Sequence, residues 1–253
     1  MDQNPISGLP NGEIETGPQD YSPFTPFIPR LGTYILLFFL LVIWPGIGLT
    51  LLVVGETDLQ LDKFDPVLFL FLPTIIIQWL IFFAVGLGVY RENSSFRSIG
   101  FARPKLSDVG KAVLFLLGSN LILAGLQFLL ESAGMGISRD VDVLVGKARE
   151  SVWWWLAISV TAAVCEETVF RGYIITRVRR ILKCGGWLIP ALLSSFSFAT
   201  GHTYQGTAGL IILFAYGLMF CALFLYTKSL WPGILAHFIQ DFSAIFIYQY
   251  IGL

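Results

Sequence analysis

The residues Cys165 to Arg171, CEETVFR, follow the apolar run VWWWLAISVTAAV and set two carboxylates and a guanidinium where the surrounding chain suits lipid. Glu167 and Arg171 stand four apart with the acid first, the favourable order for a helical ion pair, so Glu167 is expected to be neutralised locally. Glu166 is rotated by about 100° on the same helix and is left to face a cavity. The chain has two histidines, and both fall inside or at the end of apolar segments. Each has a partner four residues away, Phe198 for His202 and Asp241 for His237. An ionisable group facing lipid costs roughly 2 to 4 kcal/mol. Glu166, Glu167, Arg171, His202, His237 and Asp241 must therefore face one another or water.

A carboxylate and an imidazole converging on a wet pocket in a low-dielectric wall can activate water for hydrolysis. A second imidazole and a hydrogen-bonding group from another helix could hold the oxyanion that forms when water attacks a peptide carbonyl. Glu166, His202 and His237 could instead bind zinc with an open position for water, and the residues leave that choice open. Other hydrolase designs fit poorly. The chain contains no H-E-x-x-H and no G-x-S-G, and Asp241 is the one aspartate within an apolar span, too few for a two-aspartate protease. Cys165 points away from Glu166 on a helix and reads as a small packed residue.

The elements that must position these groups are membrane helices. Of 253 residues, 55% are hydrophobic and 13% charged, and the mean hydropathy is +0.74, outside the soluble range. A net charge of -1 offers no excess of Lys and Arg for phosphates, so no nucleic-acid partner is expected. Apolar runs at 32–54, 67–90, 112–130, 208–226 and 230–253 are long enough to cross a bilayer. Two shorter runs, 152–165 and 187–200, span only if their polar neighbours also lie at membrane depth, and these two border the motifs. Pro45 and Pro73 are expected to kink or break their helices, and a short extra helix fits between Glu131 and Glu150. The fold class is thus an all-α polytopic transmembrane bundle of seven or eight helices, with its active site inside the membrane.

Residues 1–30 are polar, acidic and rich in Pro and Gly, and read as a disordered tail ahead of a membrane domain over 31–253. Arg30, the Arg91 to Lys111 group, the Arg177 to Lys183 group and Lys228 share one side of a seven-span arrangement, against Lys63, Arg139, Lys147 and Arg149 on the other. The positive-inside rule then places the tail in the cytoplasm, in a multi-pass protein of the cell membrane. At 1.5 Å per residue, Glu166, His202 and His237 lie about 16, 22 and 14 Å from that side, similar enough to meet. The tryptophans 153 to 155 read as an interfacial anchor.

Taken together, E-E-x-x-x-R at Glu166, Glu167 and Arg171, F-x-x-x-H at Phe198 and His202, and H-x-x-x-D at His237 and Asp241 resemble the three motifs of the CPBP family. That family comprises the CAAX-type intramembrane proteases and bacteriocin-processing enzymes, including the type II CAAX prenyl endopeptidase. The resemblance covers roughly 152–253, and IGFARPK resembles the loop before the third span of bacterial members. It implies an endopeptidase in which Glu166 is the general base, His202 orients or activates the water, His237 stabilises the oxyanion, and Glu167, Arg171 and Phe198 support them. Asp241 departs from the Asn of the best-known members, and an ionised Asp cannot donate a hydrogen bond. The implied substrate is a peptide or lipidated protein, with membrane lipid around it; no cofactor is required, and zinc stays an alternative. A non-catalytic membrane partner that keeps the fold, in bacteriocin self-immunity or signalling, is the second reading. A proton-coupled transporter is a third, disfavoured because no inverted repeat is visible.

Overall fold

The computed structural model describes residues 27–54, 65–136, 140–183 and 186–251. Among them are eight helices and no strand, in agreement with the all-α expectation. In chain order these are α1 (Leu31–Val54), α2 (Val67–Arg91), α3 (Leu106–Ser132), α4 (Asp140–Glu150), α5 (152–182), α6 (Leu188–Thr200), α7 (Gly206–Thr227) and α8 (Trp231–Ile251). Short 3-10 turns at Phe96–Ile99 and Thr203–Gln205 precede α3 and α7. The first 26 residues of the expected tail, together with Lys63, Arg139 and Cys184, lie outside the described residues.

Four of the segments, α1, α2, α3 and Thr203–Thr227, are long and apolar enough to cross a membrane. Helix α8 has 21 residues, but His237, Gln240 and Asp241 interrupt its apolar run. The short run 152–165 gains its reach by continuing without a break through the motif to Leu182. Its neighbours 167 to 178 are buried on every side, the pattern of a helix at the centre of a bundle rather than at its surface. Leu37 and Leu40 of α1, Val85 and Val89 of α2, Ile99 and Phe198 pack on Val169, Phe170, Tyr173 and Ile174 of this central stretch.

Neither proline breaks its helix. Trp44, just before Pro45, bonds through its N–H to the carbonyl of Phe39, five residues back, and Leu72, just before Pro73, bonds likewise to Val67. A single wide turn of π geometry ahead of each proline accommodates the ring and the missing donor, so the helix continues through a bulge where a kink or break was expected. The longest wide turn, Glu167–Ile174, contains no proline and carries the acidic motif itself.

The segment IGFARPK ties the motif helices together. The Gly100 carbonyl accepts the Leu230 N–H at 2.9 Å, and the Ala102 carbonyl accepts the Trp231 indole N–H at 2.7 Å, so both bonds lock the start of α8. On α5, Gly172 admits the Ile99 carbonyl: a Cβ there would stand 2.7 Å from that oxygen. Backbone lies on both sides and cannot swing away. Gly172→Ala is expected to destabilise the protein by about 1 to 3 kcal/mol, the cost of overpacking, read as a lowered unfolding midpoint in detergent.

Two sequence expectations need correction here. Arg177 is not a loop residue but lies within α5 with a fully buried side chain, paired to Glu92 just past the end of α2. Its Nη2 and Nε donate to Glu92 Oε2 at 2.6 and 3.1 Å, and Nη1 donates to the Ser98 carbonyl at 3.3 Å. Thr33 Oγ1 donates to the other Glu92 oxygen at 2.7 Å. An arginine committed to this knot is also a packing element of the bundle. Trp155, grouped with the interfacial tryptophans, turns inward and donates its indole N–H to the Asp241 carbonyl at 3.0 Å, whereas Trp153 is 81% exposed.

Candidate active site

Helices α2, α5, α6 and α8 supply the site. Helix α5 packs against α2, α6 and α8, so the residues that close the sequence gap between motifs are neighbours in space. The wide turn beginning at Glu167 follows directly on Glu166, and the two adjacent carboxylates leave the helix toward different partners.

Glu167 is enclosed. Its Oε1 lies 3.0 Å from Arg171 Nη1, with both side chains about 1% exposed, and 3.0 Å from His237 Nδ1. The Arg171 nitrogens lack well-aligned hydrogen bonds, so this contact is chiefly an ion pair. The guanidinium is completed by two aromatic faces, Phe198 at 4.3 Å and Phe220 at 4.8 Å, which hold a cation where water cannot reach it. Gly233 leaves room for the second Glu167 oxygen, since a Cβ on it would stand 2.9 Å away.

Glu166 is held differently. Gln78 Nε2 donates to its Oε1 at 2.8 Å, while Oε2 has no hydrogen-bond partner among the described residues and stands 3.9 Å from His237 Nε2. The same His237 nitrogen lies 3.4 Å from Asp241 Oδ2, and the Asp241 side chain is 32% exposed. A carboxylate accepts and does not donate, so the Glu167 contact puts a hydrogen on His237 Nδ1 and turns Nε2 toward Glu166 and Asp241. One imidazole thus links all three carboxylates.

His202 sits elsewhere in the cluster. Helix α6 ends at Thr200, so His202 lies just past it, with non-helical backbone angles, rather than on the helix as the spacing suggested. Its Nδ1 is 3.1 Å from the Phe198 carbonyl, which fixes the ring with its hydrogen on Nδ1 and leaves Nε2 as an acceptor. The Phe198 ring lies between the imidazoles, 5.0 Å from His202 and 6.3 Å from His237. Glu166, Glu167, Arg171, Phe198, His237 and Asp241 therefore come together by direct contact, and His202 joins them through Phe198.

Among the described residues, no group of three or more His, Cys, Asp or Glu side chains is arranged to hold a metal ion. The two imidazoles are turned to other partners through Nδ1, Glu167 for His237 and the Phe198 carbonyl for His202. That leaves Nε2 as the nitrogen each ring presents to a further partner, in His237 toward Glu166 and Asp241.

Sequence reasoning missed Gln78, Phe220 and Gly233. Gln78 had a readable signal, since it is the only amide side chain in the apolar run 67–90, but attention to ionisable groups passes over it. Phe220 and Gly233 carry no signal in an apolar helix or a turn sequence.

A helical bundle with four segments long and apolar enough to cross a membrane, holding a cluster of carboxylates and an imidazole among its packed helices, is an integral membrane protein. Residues 148–243 match the family model described as type II CAAX prenyl endopeptidase Rce1-like. The match agrees with the resemblance read from the three motifs and leaves α1, α2 and α3 outside it. No curated protein and no solved structure matches the chain.

Proposed function

We propose that the protein is an intramembrane endopeptidase that cuts a peptide bond near the cytoplasmic half of the cell membrane, using water activated by Glu166 and no metal. The observation that carries this reading is the division of labour between adjacent carboxylates: Glu167 is neutralised by Arg171, whereas Glu166 keeps one oxygen unpartnered 3.9 Å from an imidazole nitrogen. At that separation a single water oxygen can hydrogen-bond to both atoms at once.

Glu166 Oε2 accepts a proton as the water oxygen bonds to the carbonyl carbon. The carbonyl oxygen takes the displaced electron pair and becomes an oxyanion. In its doubly protonated form His237 donates from Nδ1 to Glu167 and has Nε2–H for that oxyanion. His202 Nε2, an acceptor, suits it to orient the water. Glu166 then returns its proton to the leaving nitrogen as the C–N bond breaks, giving a new carboxyl terminus and a free amine. Asp241, at the more exposed edge, steadies His237. The tail and basic loops face the cytoplasm, and the substrate is a peptide or lipidated protein ending in a CAAX-type sequence.

The test is cleavage of a panel of CAAX-terminated peptides, prenylated and unprenylated, by the full chain in lipid vesicles, followed by mass spectrometry. At least one peptide is expected to be cut internally, at a rate unchanged by 1,10-phenanthroline and EDTA. A panel left intact sinks the endopeptidase reading, and loss of cleavage on chelation, restored by added zinc, sinks its metal-free form.

A further inference from the structure

We infer that Gln78 is a positioning residue for Glu166, fixing which oxygen of the base meets the water; this rests on the function proposed above. Helix α2 lies outside the matched stretch, yet among the described residues it delivers the one hydrogen bond to the Glu166 side chain, from Gln78 Nε2 to Oε1 at 2.8 Å. The terminal torsion of a glutamate is broad, so a carboxylate in a cavity swings unless one oxygen is tied. With Oε1 held, Oε2 is the oxygen left without a partner, 3.9 Å from His237 Nε2.

The chemistry of the partner matters as much as its position. Glu167 is met by a guanidinium, whose full charge offsets its own. Glu166 is met by a neutral amide, which orients it while its negative charge stays available to draw a proton from water. The amide has one workable orientation here, because its oxygen turned toward Glu166 would oppose two acceptors. That oxygen, Gln78 Oε1, is buried and unpaired.

The next residue secures the register. Trp79 Nε1 donates to Thr161 Oγ1 at 3.1 Å, so consecutive residues of α2 cross to α5 five positions apart, at Thr161 and Glu166. The two bonds can be separated by mutation. Gln78→Met keeps the side chain's length and removes its donor, and Thr161→Val removes the neighbouring bond between the same helices without touching Glu166.

Full-length variants at equal membrane levels are compared on the fastest-cut peptide of the panel. Gln78→Met is expected to lower kcat between about 10- and 100-fold, as a misplaced catalytic group does, with KM within about threefold. Thr161→Val is expected to keep kcat near the parent value even where its unfolding midpoint falls. The double variant Glu166→Gln, Gln78→Met is expected to be no slower than Glu166→Gln alone, since a positioning residue has nothing left to position. A Gln78→Met kcat within about threefold of the parent, or an equal loss in Thr161→Val, overturns the inference while the proposed function stands. Parent-like turnover in Glu166→Gln, or no peptide cut by the parent chain, overturns both.

Discussion

Glu166→Gln is expected to lower peptide turnover by about 10²- to 10⁴-fold, the contribution of a general base, with KM little changed. The substitution is nearly isosteric and can keep the contact with Gln78 by presenting its carbonyl oxygen, so loss of the charge is the main change at a position whose second oxygen has no partner. The measurement is kcat on the fastest-cut peptide at matched membrane levels, with the unfolding midpoint alongside. Turnover preserved within about threefold would return the protein to the alternative role, a membrane partner that keeps a protease fold without its chemistry. Contrast with Glu167→Gln sharpens the result. That change strands the Arg171 cation between two phenyl rings, so it should lower stability along with activity, whereas the Glu166 change should spare the fold.

The second large effect concerns stability. Glu92→Gln is expected to cost about 3 to 5 kcal/mol, because it leaves the buried Arg177 guanidinium without its counter-charge. Both side chains of this pair are fully buried, and the glutamate also accepts from Thr33, so one substitution loosens the joint between α1, α2 and α5. A denaturation midpoint in detergent reads the loss. Glu92→Gln matching the parent would mean that Arg177 finds other acceptors, among which the Ser98 carbonyl and hydroxyl already stand within 3.3 Å. The apolar replacement of both partners, Glu92→Leu with Arg177→Met, should be milder than the single change, since no lone charge remains.

Much of this protein is legible without coordinates. Apolar runs of spanning length fix an all-helical membrane architecture, because no backbone group can go unpaired in hydrocarbon. Six ionisable residues in or next to apolar runs are expected to cluster, because each is costly unless it meets another. The pairs at four-residue spacing, Glu167 with Arg171 and His237 with Asp241, both form contacts, as helical geometry requires. Local rules of this kind need only neighbouring residues.

What lay beyond the sequence depends on which helices touch and where a turn widens. The wide turns absorbed Pro45 and Pro73 where a local rule predicts a break, and the end of α6 at Thr200 took His202 off the helix that its spacing implied. Arg177 looks like any cytoplasmic arginine until Glu92 is seen beside it, and Gln78 looks like an isolated polar residue until α2 is laid against α5. The sequence by itself determined which groups had to leave the lipid, since the cost of burying charge is a property of each residue. Only the tertiary structure decided the distant partners, giving Arg177 a carboxylate and Glu166 an amide, because the pairing of side chains 85 or 88 positions apart depends on helix packing that no local spacing encodes.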